Sequence, residues 1–66
     1  MHKLVNTARR YIESAKASGL AAKADNDISN ALTLLRAAEL AYSPTGARRD
    51  ELIDLRRTAR AIQQQL

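Results

Sequence analysis

The stretch DISNALTLLRAAELAY, residues 27–42, has the clearest helical pattern in this chain of 66 residues. Its apolar residues recur every three or four positions, the spacing that places side chains on one face of a helix. That face is formed by Ile28, Ala31, Leu32, Leu35, Ala38 and Tyr42, and it is widened by Leu34, Ala37 and Ala41. A helix with so wide an apolar face usually packs against two neighbours or lies in a dimer seam. We therefore predict that residues 27–42 form the central helix of the fold.

A first helix is predicted before it, because apolar residues again follow a helical spacing. The residues on this stripe are Leu4, Ala8, Tyr11, Ile12 and Ala15. The pattern loses phase at Ser18 and Gly19 and restarts after ADND, residues 24–27, where Asp25, Asn26 and Asp27 are good N-cap residues. A turn or kink is therefore expected between residues 18 and 26. Two alternatives stay open for the first helix, which covers either residues 3–18 or residues 3–24.

A third helix is predicted after YSPTGARR, residues 42–49. Proline disfavours a helical conformation in the residue before it, Ser43 is a suitable cap, and Pro44 fits a first helical turn. The helix is expected over residues 45–65, with a seam of apolar residues at spacings of three and four. This seam consists of Leu52, Leu55, Ala59, Ile62 and Leu66. We expect it to form an antiparallel hairpin with the central helix and to make the main core contact.

The fold class follows from these three predicted helices and from the absence of strand signals in the sequence. The chain has only two glycines and one proline, and it lacks the clusters of β-branched and aromatic residues that indicate strands. We predict a single all-α domain over residues 1–66, a small antiparallel helical hairpin or three-helix bundle with helix two central. Since thirteen residues are alanine and a chain of this length hides only about 60% of its unfolded surface, stability should be marginal. Self-association as a homodimer is therefore expected.

Composition also limits the class of protein. Cysteine is absent, so no disulfide or thiolate metal site is available to hold the fold. No apolar run approaches the roughly 20 residues that cross a bilayer, and the segment MHKLVNTARRYIES lacks the apolar region of a secretion signal. We expect a cytoplasmic protein that neither spans nor binds a membrane. The net charge of +4 favours acidic partners.

Residues typical of enzyme active sites are scarce. The only histidine is His2, in a segment expected to fray. Asp50 and Asp54 are four positions apart, but such a pair on an arginine-rich helix is usually solvated and salt-bridged. The sequence contains no glycine-rich phosphate loop, nucleophile elbow or metal-ligand spacing. We therefore expect a protein without catalytic residues, cofactor or metal.

The third helix is unusual in its charge, because GARRDELIDLRRTAR, residues 46–60, holds five of the eleven basic residues. Arg48 lies three positions before Glu51, and Asp54 lies three before Arg57, both distances at which side chains meet on a helix. Local salt bridges are therefore predicted for these two arginines.

The other three arginines, Arg49, Arg56 and Arg60, fall on one strip beside the apolar seam at about 100° per residue. None has an acid three or four positions away, and Ile53 lies on the same side. One interpretation is that acids of another helix or subunit neutralise the strip. The candidates are Glu13, Asp25, Asp27 and Glu39. The other interpretation is a docking surface, because arginine mixed with apolar residues is typical of protein interfaces.

Glu39 is notable because it lies close to the apolar stripe of the central helix. A carboxylate near a core needs a partner. It is expected to pair with Arg36 or with a cation of a neighbouring helix, or else to fix the register of a dimer or dock a basic partner.

Two functions fit this surface. The first is a non-enzymatic helical adaptor or regulator that binds a protein through Arg49, Ile53, Arg56 and Arg60. The alternative is a small basic regulator that binds nucleic acid, since arginines contact phosphates and bases. The acids of the third helix, Asp50, Glu51 and Asp54, would repel phosphate, and no aromatic residue there stacks on a base. The sequence therefore favours the protein partner.

Overall fold

The computed structural model describes the backbone of residues 2–66 and the side chains of residues 3–66. It contains three helices, α1 (His2–Ala17), α2 (Ala21–Tyr42) and α3 (Gly46–Gln64), and no strand within the described residues. Most of the close approaches between helices involve α2, which contacts both α1 and α3. The predicted all-α fold with helix two central is therefore confirmed, and of the two predicted arrangements the chain adopts the three-helix bundle.

The largest contact joins α1 to α2, not α2 to α3 as the sequence predicts. Both helices carry buried alanines seven residues apart, and small side chains let two helix backbones approach closely. The buried apolar residues that these two helices contribute to the core are Val5, Ala8, Ile12 and Ala15 on α1, and Ala24, Ile28, Ala31, Leu35 and Ala38 on α2. The predicted α1 stripe lacked Val5, whereas Leu4 and Tyr11 are only partly buried. Because alanines on α1 and α2 allow this close approach, α1 contributes as directly to the core as α2 does.

Helix α3 covers the rest of the core with part of its predicted seam. Leu52 and Ala59 are buried, and Leu55 and Ile62 are partly buried against the same cluster. Leu66 lies beyond the end of α3 and is 50% exposed, so the predicted seam ends before it. A salt bridge of 3.0 Å between Arg9 and Glu51 also joins α1 to α3.

The first turn occupies residues 18–20, inside the predicted window. Helix α1 ends at Ala17, in agreement with the shorter alternative, but α2 begins at Ala21, six residues before the predicted start. The Ser18 hydroxyl accepts the Leu20 N–H and lies 3.1 Å from the Leu20 carbonyl oxygen, to which it donates. Ala21, Ala22 and Ala24 are strong helix formers, so α2 starts as soon as this turn is complete. The predicted cap at ADND is therefore wrong, and Asp27 lies buried inside the helix.

The second turn is built differently from the prediction. Ser43 does not cap α3; it ends α2 in a left-handed conformation with φ 43°, and its N–H donates to the Glu39 carbonyl oxygen. Thr45 takes the N-cap position of α3, and Gly46 follows with φ 61°. The start of α3 at Gly46 and its end at Gln64 each lie one residue inside the predicted range.

The predicted apolar face of α2 is wider than the face that the structure buries. Tyr42, expected on the apolar stripe, is 54% exposed, and Ala37 and Ala41 are also exposed.

In the described chain, residues 2–66, no helix combines the length and apolar content that a bilayer crossing requires.

Candidate functional site

The charges of α3 are divided between two sides of the helix. Asp50, Glu51 and Asp54 line a shallow concavity together with Arg9 of α1. Arg49, Arg56 and Arg60 line a groove on the other side, between α3 and α2. This separation follows from the helical angle of about 100° per residue, which places the acids and these arginines on different faces.

Two local salt bridges are predicted within α3, and of these the one between Arg48 and Glu51 stays a prediction. Glu51 binds Arg9 of α1 at 3.0 Å. Asp54 and Arg57 form no salt bridge with each other or with any other residue whose side chain is described. An exposed pair at this spacing gains only about 0.2–0.5 kcal/mol, so the helix does not depend on it. The predicted Asp54–Arg57 bridge is therefore wrong.

Arg56 is held by Glu39, which reaches across from α2. The guanidinium donates a hydrogen bond to a carboxylate oxygen and forms a salt bridge with it. The bond to Arg56 lowers the pKa of Glu39, and the nearby charges of Arg36 and Arg49 lower this pKa further. Of the pairings expected for Glu39, the structure contains the one with a cation of a neighbouring helix. Arg56 therefore links α2 to α3 through a salt bridge between partly exposed side chains.

The remaining acids proposed to neutralise the strip lie elsewhere. Glu13 pairs with Lys16 at 3.6 Å on α1. The Lys23 ammonium donates to the Asp27 carboxylate at 3.0 Å and to the Ser14 hydroxyl at 2.7 Å, so this cluster joins α1 to α2. Asp25 is exposed. Among the four candidate acids, only Glu39 contacts the strip within the described chain.

Two residues of α2 complete the groove, and neither was predicted from the sequence as a site residue. Arg36 and Leu40 are four positions apart, so they lie on the same face, and both line the groove opposite α3. Leu40 is 73% exposed, and Ile53 on α3 is 38% exposed. The helical wheel of α2 already separates this face from Ile28 and Leu35. A helical wheel does not show where α3 packs, and it is this packing that leaves the face of Arg36 and Leu40 uncovered.

The groove has a consistent order along its length. Arg49 lies at one end, near Ser43 and Pro44. Leu40 and Ile53 occupy the middle, beside the Glu39–Arg56 bridge. Arg36 and Arg60 lie at the other end. We call this surface the α2–α3 groove.

Its charge is positive because one carboxylate faces four arginines. Arg36, Arg49 and Arg60 form no salt bridge with any side chain of residues 3–66. Of the predicted site residues, Arg49, Ile53, Arg56 and Arg60 all line the groove, three of them together with Leu40 in one concavity. The arrangement can bind a partner that offers acidic and apolar groups together.

Other kinds of site find little support in the described residues. No group of three histidine, cysteine or acidic side chains there is placed to hold a metal ion. The side chain of His2, the only histidine, lies outside the described side chains. Comparison with known proteins adds no precedent, since no protein-family model, curated protein or solved structure matches this chain.

Proposed function

We propose that this protein is a non-enzymatic adaptor or regulator that binds a protein partner through the α2–α3 groove. The observation that carries the proposal is the exposure of Leu40 and Ile53 in a groove lined by four arginines, of which only Arg56 has a salt bridge in the described chain. Arginine is among the residues that contribute most to protein interfaces, and burial of the apolar side chains beside it excludes water from its charged contacts.

The arginines of the groove do not help the helix that carries them. Arg56 and Arg60 are four positions apart, where like charges repel mildly. Arg49 lies in the first turn of α3, where the helix dipole disfavours a cation. Glu39 compensates Arg56 alone by direct contact. A partner with acidic groups would compensate the others, and this supports a binding role for the strip.

Nucleic acid is the competing partner, since a groove lined by arginines also suits phosphate. The acids of α3 do not decide between the two, because they line the opposite side of the helix. The middle of the groove favours a protein partner. Leu40 and Ile53 would stay in contact with water beside a phosphate backbone, and Glu39 would repel it. A protein partner buries the two apolar side chains and is therefore the better match.

The test uses capture from a cell lysate with and without nuclease. The wild-type chain is compared with the variant Arg49→Glu plus Arg60→Glu, which reverses two groove charges that make no salt bridge in the described chain. The matched control is Lys3→Glu plus Arg10→Glu, which changes the net charge by the same amount on the exposed face of α1. Arg56 is left unchanged because its reversal would break the contact with Glu39.

We expect a nuclease-resistant protein partner that is captured by the wild type and by the α1 control but not by the groove variant. Equal capture by all three chains would contradict the proposal. Capture of nucleic acid alone, lost with the groove variant, would establish the alternative.

Self-association as a homodimer remains part of the proposal. The groove is an unsuitable dimer surface, because a two-fold contact would place its arginines opposite one another. Leu20 and Leu66 offer an alternative dimer surface. They are 69% and 50% exposed, and they line one concavity between the first turn and the C-terminal end of α3.

A further inference from the structure

The order of side chains in the α2–α3 groove indicates what kind of partner it takes. We infer that the occupant is an acidic amphipathic helix of about three turns, with apolar residues in its middle and acidic residues towards both ends. This inference rests on the proposed function and adds the chemistry of the partner to it.

The shape of the groove fits a helix. It lies between two helices that are connected by a short turn and pack side by side, and none of its lining residues belongs to α1. A helix placed there would form the fourth member of a bundle. Arg49 and Arg60 are eleven residues apart, which corresponds to roughly 16 Å at 1.5 Å per residue. A partner helix that reaches both needs about three turns.

The charges specify the ends of that helix. Arg49 stands at one end of the groove, and Arg36 and Arg60 stand at the other. Carboxylates spaced by about three turns can pair with both ends at once, because arginine binds carboxylate through two parallel hydrogen bonds. Among the described residues that line the groove, Glu39 is the only one with a carboxylate, and it is already bound to Arg56. The partner must therefore bring its own acids.

The apolar residues specify its middle. Leu40 and Ile53 lie on opposite sides of the groove, so one apolar stripe on the partner contacts both. Apolar residues at positions i, i+4 and i+7 form such a stripe on one helix face. Burial of this stripe would remove water from the arginines on either side and strengthen their contacts with the acids.

A second copy of this chain does not fit the description. Its own α3 acids are Asp50, Glu51 and Asp54, but Glu51 is bound to Arg9, and this cation lies in the same concavity. The groove of the second copy is itself positive. The occupant is therefore a different protein segment.

The inference is tested with a synthetic helical peptide of about 14 residues, with leucine at i, i+4 and i+7 and glutamate on both sides of that stripe. One control peptide has lysine in place of every glutamate. A second has the acidic composition in scrambled order, so that the leucines no longer share a face. Binding to the full chain is measured by fluorescence anisotropy at about 50 and about 200 mM salt.

We expect the acidic amphipathic peptide to bind more tightly than either control, and to bind more weakly at the higher salt concentration. Arg49→Glu plus Arg60→Glu should raise its Kd at least about tenfold, because attraction at both ends becomes repulsion. Leu40→Asp should also raise it at least about tenfold, since a carboxylate would be buried against the apolar stripe. Lys3→Glu plus Arg10→Glu should leave it unchanged.

Circular dichroism and thermal melting accompany each variant. The residues changed are exposed and make no salt bridge in the described chain, so helicity should be retained. If Leu40→Asp unfolds the chain, Leu40→Ser provides the same test with a smaller change.

The inference is overturned if the lysine peptide or the scrambled peptide binds as tightly as the acidic helix, or if none of them binds. It is also overturned if a single-stranded RNA oligonucleotide binds more tightly than the peptide and retains its affinity for Leu40→Asp. A lysate partner that requires Arg49 and Arg60, combined with failure of the acidic peptide, would refute this inference while leaving the proposed function intact. A lysate partner that ignores the groove variant would refute the proposed function instead.

Discussion

Gly46 begins α3 in a conformation that glycine adopts more readily than other residues. Its φ is 61°, and an added Cβ would meet no atom within 4 Å, so the cost of a substitution is one of backbone conformation rather than of space. We expect Gly46→Ala to lower the free energy of unfolding by about 1–2 kcal/mol. Urea denaturation measures this change.

Gly19 provides the control for that prediction. It also has no neighbour within 4 Å, but its φ is not positive. Gly19→Ala should leave stability unchanged or raise it by up to about 1 kcal/mol, because alanine restricts the unfolded chain. Similar effects at the two glycines would show that the left-handed conformation of Gly46 does not constrain the fold.

Asp27 makes the stability of the bundle dependent on acid pH. The hydrogen bond from the Ser14 hydroxyl, followed by that from the Lys23 ammonium, holds the pKa of Asp27 below its ordinary value of 3.8. Because the folded pKa is the lower one, this stabilisation is fully present above the unfolded pKa and is lost as pH falls from the unfolded towards the folded pKa. The melting temperature should therefore decline below about pH 4.

The variant Asp27→Asn should melt at a lower temperature than the wild type at neutral pH and should lose less on acidification. Asp25→Asn, an exposed change two residues away, serves as the control and should retain the wild-type profile. Thermal melts at a series of pH values compare the three chains. An unchanged acid response in Asp27→Asn would show that other carboxylates cause the decline.

At the scale of elements, the close contact between α1 and α2 depends on small residues. Ala31 is fully buried, whereas Ala37 on the same helix is exposed. Ala31→Leu should destabilise the fold by about 1–3 kcal/mol, because the added side chain would force the two helices apart. Ala37→Leu should change stability by less than about 0.5 kcal/mol. Denaturant unfolding of both variants checks this, and equal effects would mean that the interface tolerates larger residues.

At the scale of the whole molecule, the core is small and rich in alanine. Its fully buried large side chains are Ile28, Leu35 and Val5, in a bundle whose Cα extents are 34 × 18 × 15 Å. We therefore expect self-association to add stability, so that the melting temperature rises with protein concentration. The groove variant Arg49→Glu plus Arg60→Glu should show the same rise, because the dimer is expected to use another surface. A midpoint that stays constant over about a hundredfold range of concentration, with a monomer mass, would exclude self-association.

The sequence by itself determined the helical class, the number of helices and the central place of α2. These features depend on local properties: the spacing of apolar residues, the proline at position 44 and the break near Gly19. The start of α2 was missed because Asp25, Asn26 and Asp27 resemble a cap in isolation. Buried Asp27 is instead bonded to Lys23 within α2 and to Ser14 of α1, and the latter contact is one that local sequence does not contain.

Only the tertiary structure decided which charges meet and which apolar residues stay exposed. The sequence predicted the arginine strip and Ile53, and it offered Glu39 as one of four acids that could neutralise the strip. It could not choose Glu39 as the partner of Arg56, seventeen residues away, or pair Glu51 with Arg9. It also could not identify Leu40 and Arg36 as part of the same surface. A helical pattern specifies the faces of each helix, whereas the packing of α1 against α2, which leaves α3 on one side, determines which face remains open.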